Sequence, residues 1–375
     1  MAQGETNVSQ IAREIIDENN LNESFLAIRS RIRRFVESKA FSDHPALLDE
    51  CETVGIDPSK VTSYWWKGKH FSINVRPDKV DFEELIRRAI ESVNFTSIKL
   101  PKLPKEHNNK ALRVVLSDMH VGLDAGSGGM FGHEYSKEIF EERVSGVISE
   151  IRGMYETSGG YEALYIDDMG DGLDGYEGQT TRGGHKLQQN LTTEEQFEVF
   201  VQQKLRLIIS CRQFARKIIC RNVTEDNHAG TFSRIANRAI QMVLEAMKVD
   251  VEFIIIEEFI EHFEYGDHCH IITHGKDSKH MFKSFPLKLT GDHKATILEY
   301  ITHHKITSKY IHFDKGDLHQ RAFEKTAYFG YTNFMSFAPP SLWVQRNFGI
   351  SYSGYTIQEI PRDSGKIKTI DIYFE

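Results

Sequence analysis

The stretch ALRVVLSDMHVG, residues 111–122, is a continuous apolar run that ends in a polar turn. Such a run predicts a β-strand that is buried on both faces, as in a parallel sheet covered by helices. Asp118 and His120 follow the run directly, at the exit of the predicted strand. An Asp and a His at that position suggest a metal ion, so the rest of the chain has to supply further ligands.

Three later segments repeat this design: YEALYIDDMGD (161–171), ARKIICRNVTEDNH (215–228) and DHCHIITHGKD (267–277). Each is an apolar run followed by acidic residues or histidine, and amphipathic helical patterns lie between the runs. Alternation of strand, polar loop and helix predicts an α/β fold, whose functional edge lies at the carboxyl ends of the strands.

The polar residues after the predicted strands are expected to converge into one cluster with the character of a metal site. Carboxylates, an amide and imidazoles make a mixed oxygen and nitrogen shell, which suits Mn²⁺, Fe²⁺ or Zn²⁺ and is large enough for two ions. The set is Asp118, His120, Asp171, Asn227, His228, His274, Asp317 and His319.

Five short motifs occur in order between about residue 111 and residue 321: SDMH, GDGLD, DNH, THG and GDLH. Together they resemble the signature of the calcineurin-like metallophosphoesterase superfamily, which is D-x-H, G-D-x-x-D, G-N-H, an isolated His and G-H-x-H. The resemblance implies a two-sheet α-β-β-α sandwich within the α/β class. It also implies a phosphoesterase, closest in type to the DNA-repair nucleases of the superfamily.

The resemblance further implies two divalent metal ions joined by a bridging carboxylate, which Asp171 matches. Such a bridge lets two cations sit about 3.5–4 Å apart and share the phosphoryl oxygens. We expect Mn²⁺, with Mg²⁺, Fe²⁺ or Zn²⁺ as alternatives. The positions that match the other ligands are Asp118, His120 and His319 for the first ion, and Asn227 and His274 for the second.

Two residues of the motifs are expected to act without binding metal. His228 matches the histidine that supports the transition state or protonates the leaving oxygen, a general-acid role. Asp174 is expected to orient a neighbour or fix its loop.

The chain departs from the family pattern twice. Asp226 replaces the Gly before Asn-His, so the turn there can have a different backbone shape. Asp317 replaces the first His of the last motif, where the family has a ligand of the second metal. We expect Asp317 to ligate; three carboxylates would then leave a charge of about +1 with two divalent ions and would favour Mn²⁺ or Mg²⁺.

A polar loop, YEGQTTRGGHK (176–186), follows the expected bridging residue. Arg182, His185 and Lys186 are candidates for contacts with substrate phosphates, and a solvated loop is the alternative.

The first 100 residues are predicted to form a small all-α domain of helix-turn-helix type, separated from a phosphoesterase domain (101–375) by the linker LPKLPKEHNNK (100–110). Helical patterns cover residues 9–20, 24–39 and 81–95, and the second carries a net charge of +4. A basic helix can enter the major groove of DNA, or it can pack on an acidic protein. The candidate DNA contacts are Arg29, Arg31, Arg33 and Arg34.

Composition excludes several classes of protein. No apolar run approaches the roughly 18 residues that span a bilayer, so no membrane association is expected. The four cysteines are scattered without a C-x-x-C pair, which predicts a cytoplasmic protein and argues against a cysteine zinc site. The net charge is -8, so DNA binding has to come from a local basic surface. A homo-oligomer is left open.

The favoured function is a two-metal phosphodiesterase, specifically a DNA nuclease. One alternative is a small-molecule phosphatase or cyclic-nucleotide phosphodiesterase whose N-terminal domain contacts proteins. Another is a non-catalytic DNA-binding protein with a structural metal site, against which the retained His228 argues.

Overall fold

The structure is a computed structural model that describes residues 61–67, 70–75, 84, 86–88, 100–126, 134–276, 285–349 and 352–374. The chain divides into two compact units, residues 1–79 and 80–375. The predicted helices at 9–20 and 24–39, with their four candidate DNA-binding arginines, lie outside the described residues.

In the first unit, β1 (Val61–Lys67) and β2 (His70–Val75) form an antiparallel pair in which Lys67 faces His70. The all-α expectation for the first 100 residues is therefore wrong for this segment. The segments VTSYWWK and HFSINV are rich in β-branched and aromatic residues, which favour strands over helices.

The second unit contains a six-stranded sheet in the order β13-β12-β3-β4-β5-β6. Strands β3 to β6 are parallel; β12 is antiparallel to β3, and the edge strand β13 is antiparallel to β12. The bounds are β3 Lys110–Leu116, β4 Tyr161–Asp168, β5 Ala215–Val223, β6 Glu252–Ile256, β12 Gly354–Pro361 and β13 Lys368–Tyr373.

A five-stranded sheet has the order β10-β11-β9-β8-β7. Its three central strands, β11, β9 and β8, are parallel, and both edge strands are antiparallel to their neighbours. The bounds are β7 Glu261–Tyr265, β8 His268–Thr273, β9 Tyr310–Lys315, β10 Ala322–Lys325 and β11 Gly330–Asn333.

Helices cover the outer face of each sheet. The apolar faces of α1, α2 and α3 pack on the six-stranded sheet in one large core, and α4 packs on the five-stranded sheet in a second core. Ile86 packs against the large core, so the chain joins the second unit ahead of the predicted boundary at residue 100. The bounds are α1 Lys137–Ser158, α2 Thr193–Cys211, α3 Thr231–Ala246, α4 Gly291–His303 and α5 Leu342–Phe348.

The two sheets face each other across apolar and charged side chains. Val115 and Val223 of the first sheet pack with Ile272 of the second. Arg113, fully buried, donates to Asp167 (2.6 Å) within its own sheet and to Asp314 (2.5 Å) in the other. The α/β fold with two sheets between helices is therefore confirmed.

Two sequence-level observations have a structural counterpart. Among the described residues, no helix is both long enough and apolar enough to cross a bilayer. The described cysteines, Cys211, Cys220 and Cys269, are all free and buried.

Candidate metal centre

The candidate ligands lie where parallel strands of both sheets end. Strands β3, β4 and β5 are neighbours in the first sheet, and β8 and β9 are neighbours in the second. Parallel neighbours end at the same edge of a sheet, so the loops that follow them meet. The structure brings together all eight residues of the predicted set.

The first cluster contains Asp118, His120 and His319. The Nε2 atom of His319 lies 3.4 Å from Asp118 Oδ1 and 3.4 Å from His120 Nε2. Asp118 is fully buried, and its Oδ1 atom has no hydrogen-bond partner in the described structure. Its other oxygen, Oδ2, accepts a hydrogen bond from the Ser117 hydroxyl.

The second cluster contains Asp118, Asp171 and His274, with Asn227 beside it. His274 Nε2 lies 3.1 Å from Asp171 Oδ2 and 3.1 Å from Asn227 Oδ1. The other ring nitrogen, Nδ1, donates to the Met169 carbonyl at 2.9 Å. A backbone acceptor on Nδ1 fixes the orientation of the ring and turns Nε2 toward the cluster, as second contacts do for metal-binding histidines.

These separations fit ligands that share an ion. Ligand atoms at about 2.0–2.2 Å from one ion stand roughly 3.0–3.5 Å from each other at tetrahedral or octahedral angles. The four distances given above, 3.1 to 3.4 Å, lie in that range, and the fifth, 4.0 Å between His120 Nε2 and Asp118 Oδ1, is longer.

The charges of the centre also favour bound metal ions. Within the described part of the chain, no lysine or arginine forms an ion pair with Asp118, Asp171 or Asp174, and all three are buried. Their ion-pair partners in the described structure are histidines, which give up a proton to bind metal, and buried carboxylates without a permanent cation are costly. The donor set therefore fits divalent cations.

The same carboxylates shift the ionisation of the histidines around them. Burial alone would lower the pKa of His120 and of His274. The interactions with Asp174 and Asp171 outweigh burial and raise these pKa values to about 9 for His120 and about 10 for His274. Burial also opposes ionisation of Asp171, but the charges of His274 and His228 hold its pKa well below its usual range. The centre thus attracts positive charge strongly.

His228 is placed differently from the other histidines of the centre. Its Nδ1 atom lies 2.6 Å from the Asp174 carbonyl and donates to it, and its Nε2 atom lies 4.0 Å from Asp171 Oδ2. The side chain is 19% exposed, whereas those of His120 and His274 are almost fully buried. The preceding residue, Asn227, points instead to His274. A fixed ring with one nitrogen turned toward the centre suits a proton donor.

Asp174 lies close to both the candidate ligand His120 and the candidate proton donor His228. One carboxylate oxygen, Oδ1, lies 3.2 Å from His120 Nδ1 and 3.8 Å from His228 Nδ1. His120, Asp174 and His228 therefore form a third group of ligand-type atoms. Because His228 Nδ1 is already engaged by the Asp174 carbonyl, this group is better explained as contacts that orient the two rings.

The two departures from the family pattern have distinct surroundings. Asp317 Oδ1 lies 3.9 Å from His274 Nε2, beside the second cluster, and its ligation stays a prediction. Asp226 accepts hydrogen bonds from the backbone of Ala229 and Gly230 and from the Ser233 hydroxyl, at the start of α3. Burial and the charge of Asp171 raise the pKa of Asp226 to about 7.

The backbone of the centre is strained. Eight described residues other than glycine have a left-handed φ, and five of them are candidate ligands. This conformation is uncommon for residues with a Cβ and persists where the surroundings enforce it, often at functional sites. Gly170, φ +98°, could not be replaced easily, because a Cβ there would lie 2.8 Å from His274 Nδ1. The five are Asp118, His120, Asp171, Asp317 and His319.

Sequence reasoning missed the segment that supports Asp118 from behind. The backbone N–H of Ala338 and the hydroxyl of Ser336 donate to the Asp118 carbonyl, and Phe337 N donates to the Ser117 carbonyl. This segment follows β11, in sequence far from Asp118 and without any charged residue. No motif in the sequence signals such a role, since the contacts come mainly from the backbone.

The loop at 176–186 is hydrogen-bonded to the turn that contains Asn227 and His228. Thr181 N and Arg182 N donate to the carbonyls of His228 and Asn227. The Arg182 guanidinium donates to the Lys276 carbonyl at 2.5 Å and lies 3.3 Å from Glu225. Arg182 is thus engaged by protein groups, whereas His185 and Lys186 are exposed; phosphate contacts by all three stay predictions.

Comparison with known proteins finds no matching family model and no matching curated protein. Several solved structures are similar at low identity. An archaeal phosphodiesterase is 11% identical, with 70% of this chain and 99% of that chain covered, at a TM-score of 0.34. Vps29 from Entamoeba histolytica complexed with Zn²⁺ is 12% identical over 70% and 99%, at 0.28. A putative 5'-nucleotidase from Staphylococcus aureus is 9% identical over 71% and 55%, at 0.32. Similarity this low carries no information about activity, which has to be judged from the centre itself.

Proposed function

We propose that this chain is a two-metal phosphodiesterase of the calcineurin-like type, and that its substrate is DNA. One observation supports a hydrolase above all. Two sets of ligand-type atoms, close enough to share ions, meet beside His228, whose Nδ1 atom is hydrogen-bonded to the Asp174 carbonyl. A structural metal site needs no such histidine, so the arrangement supports catalysis over a purely structural ion.

Divalent ions, when bound, would stabilise charge on the phosphoryl oxygens and activate water. The residues of the first and second clusters, which share Asp118, would hold them. His228 supplies what the ions do not: its Nε2 atom can donate a hydrogen bond or a proton to the departing oxygen. The Asp174 carbonyl keeps the other proton of the ring on Nδ1.

The preference for DNA is supported by sequence. The helical pattern at 24–39 carries a net charge of +4 in a chain whose overall charge is -8. Cationic side chains that neutralise phosphates supply most non-specific DNA affinity. A phosphodiester carries one negative charge, which balances the +1 that three carboxylates and two divalent ions would leave.

The test is a comparison of substrates with Mn²⁺-loaded protein. We expect cleavage of single-stranded or duplex DNA and of a bis-aryl phosphodiester, with much weaker hydrolysis of an aryl phosphomonoester. Cleavage of the small diester alone would support a small-molecule phosphodiesterase. Hydrolysis of the monoester alone would mean a phosphatase, and no hydrolysis of any ester would refute the proposal.

A further inference from the structure

Among the described residues, the side-chain hydrogen bond of Gln189 goes to Asp174 and not to a candidate ligand. Its side-chain Nε2 donates to Asp174 Oδ2 at 3.0 Å. The direction of this bond is settled by chemistry, because a carboxylate oxygen accepts and only the amide NH₂ of Gln189 can donate. The other oxygen of Asp174, Oδ1, faces His120 Nδ1 at 3.2 Å.

The contact matters because Asp174 has little else to hold its carboxylate. Asp174 is fully buried, and its Oδ1 atom approaches His120 without the geometry of a well-formed hydrogen bond. The hydrogen bond from Gln189 therefore decides how the carboxylate is rotated. Oδ1 is thereby held 3.2 Å from His120 Nδ1, close enough for an electrostatic contact with the ring, whose Nε2 atom belongs to the first cluster.

Gln189 is itself held rigidly. Residues 188–190 run beside residues 122–124: Asp124 N donates to the Gln188 carbonyl, and Asn190 N donates to the Gly122 carbonyl, both at 2.9 Å. Leu123 and Gln189 form an antiparallel bridge. A Cβ at Gly175 would lie 3.1 Å from Gln189 Nε2, so the amide is packed closely against the chain that follows Asp174.

We infer that Gln189 is a positioning residue for the metal centre, acting through Asp174 on the ring of His120. This inference rests on the proposed function in so far as His120 binds metal. Contacts that orient a metal-binding histidine are typically worth about 10- to 100-fold in metal affinity or activity. Gln189 stands one contact further out, so we expect about a three- to tenfold effect.

The experiment is a titration of metal-free protein with Mn²⁺, followed by kinetics on a bis-aryl phosphodiester. Gln189→Met keeps the length of the side chain and removes the donor. It should raise the dissociation constant of one of the two ions about three- to tenfold and lower kcat, with KM unchanged. The midpoint of urea unfolding should fall as well, because the buried Asp174 carboxylate loses its donor, so the titration and the kinetics are run without urea. Gln188→Met is the matched control, since the Gln188 side chain is exposed, and it should behave as the wild type.

A double-mutant cycle separates positioning from packing. In an Asp174→Ala background, Gln189 has no carboxylate to hold, so adding Gln189→Met should change Mn²⁺ affinity no further. Wild-type Mn²⁺ affinity in Gln189→Met, or full additivity with Asp174→Ala, would overturn the inference. If Asp174→Ala fails to fold, Gln189→Met against Gln188→Met still decides it.

The two proposals fail separately. If Gln189→Met binds Mn²⁺ more weakly than the wild type, and the wild type hydrolyses no ester, the positioning role is retained and the phosphodiesterase is refuted. If the wild type hydrolyses the diester and Gln189→Met leaves Mn²⁺ affinity unchanged, the phosphodiesterase is retained and the positioning role is refuted.

Discussion

Replacing His228 should separate metal binding from chemistry. His228→Asn keeps an NH₂ group near the place of Nδ1, so the hydrogen bond to the Asp174 carbonyl, 2.6 Å in the wild type, can survive. The shorter side chain has nothing at the position of Nε2, 4.0 Å from Asp171. The variant should therefore fold and bind both ions but lack a donor for the leaving oxygen.

The expected loss in turnover is about 10²–10⁴, the usual contribution of general acid–base catalysis. This factor corresponds to about 3–5 kcal/mol in the barrier. His228→Gln extends to the Nε2 position and can donate a hydrogen bond but no proton at neutral pH. A hydrogen bond to a charged group is worth about 1.5–3 kcal/mol, so His228→Gln should recover roughly one to two factors of ten.

The assay is single-turnover hydrolysis at saturating Mn²⁺ with two diesters, one with an acidic phenol and one with an alcohol as leaving group. An acidic phenol departs as an anion without help, so the loss in His228→Asn should be small for it and large for the alcohol. His303→Asn, at the exposed end of α4 and with no role assigned in the centre, is the control. Metal loss in His228→Asn, or an equal rate loss for both diesters, would refute the assignment of His228 as the acid.

Three further predictions follow from particular residues. Asp171→Asn removes the expected bridge and should empty at least one of two Mn²⁺ positions, measured by elemental analysis; full occupancy would contradict the two-ion assignment. Deleting residues 1–79 should weaken DNA binding but leave hydrolysis of a bis-aryl diester intact. The slope of log affinity against log salt concentration should fall by about 0.9 for each DNA phosphate that the shortened protein no longer neutralises. Equal binding at several salt concentrations would assign those residues another role. Burial, partly offset by Asp314, lowers the pKa of His312 to about 4, below the unfolded value near 6.5, so the unfolded state takes up the proton first and stability falls between about pH 6.5 and 4. Between pH 6.5 and 4, the free energy of unfolding measured in urea should fall by roughly 3 kcal/mol less in His312→Phe than in the wild type. An unchanged pH dependence would show that His312 is not the titrating group.

Much of the second unit could be predicted from local sequence, because its parallel strands are buried on both faces and appear as unbroken apolar runs. The strands that begin at Lys110, Tyr161, Ala215 and His268 each fall where the sequence predicts one. The hairpin at residues 61–75 departs from the helical prediction for the first 100 residues, because its aromatic and β-branched residues prefer strands.

The candidate ligands could also be identified in advance, since metal chemistry needs particular side chains and parallel strands end together. What the sequence determined by itself was therefore the set of ligand types and their order along the chain. Only the tertiary structure decided how they are held: the hydrogen bond from Gln189 to Asp174, the backbone of residues 336–338 behind Asp118, and the left-handed backbone of five candidate ligands. These depend on contacts between segments far apart in the chain and largely on backbone atoms, which are the same in every residue and leave no signature in the sequence.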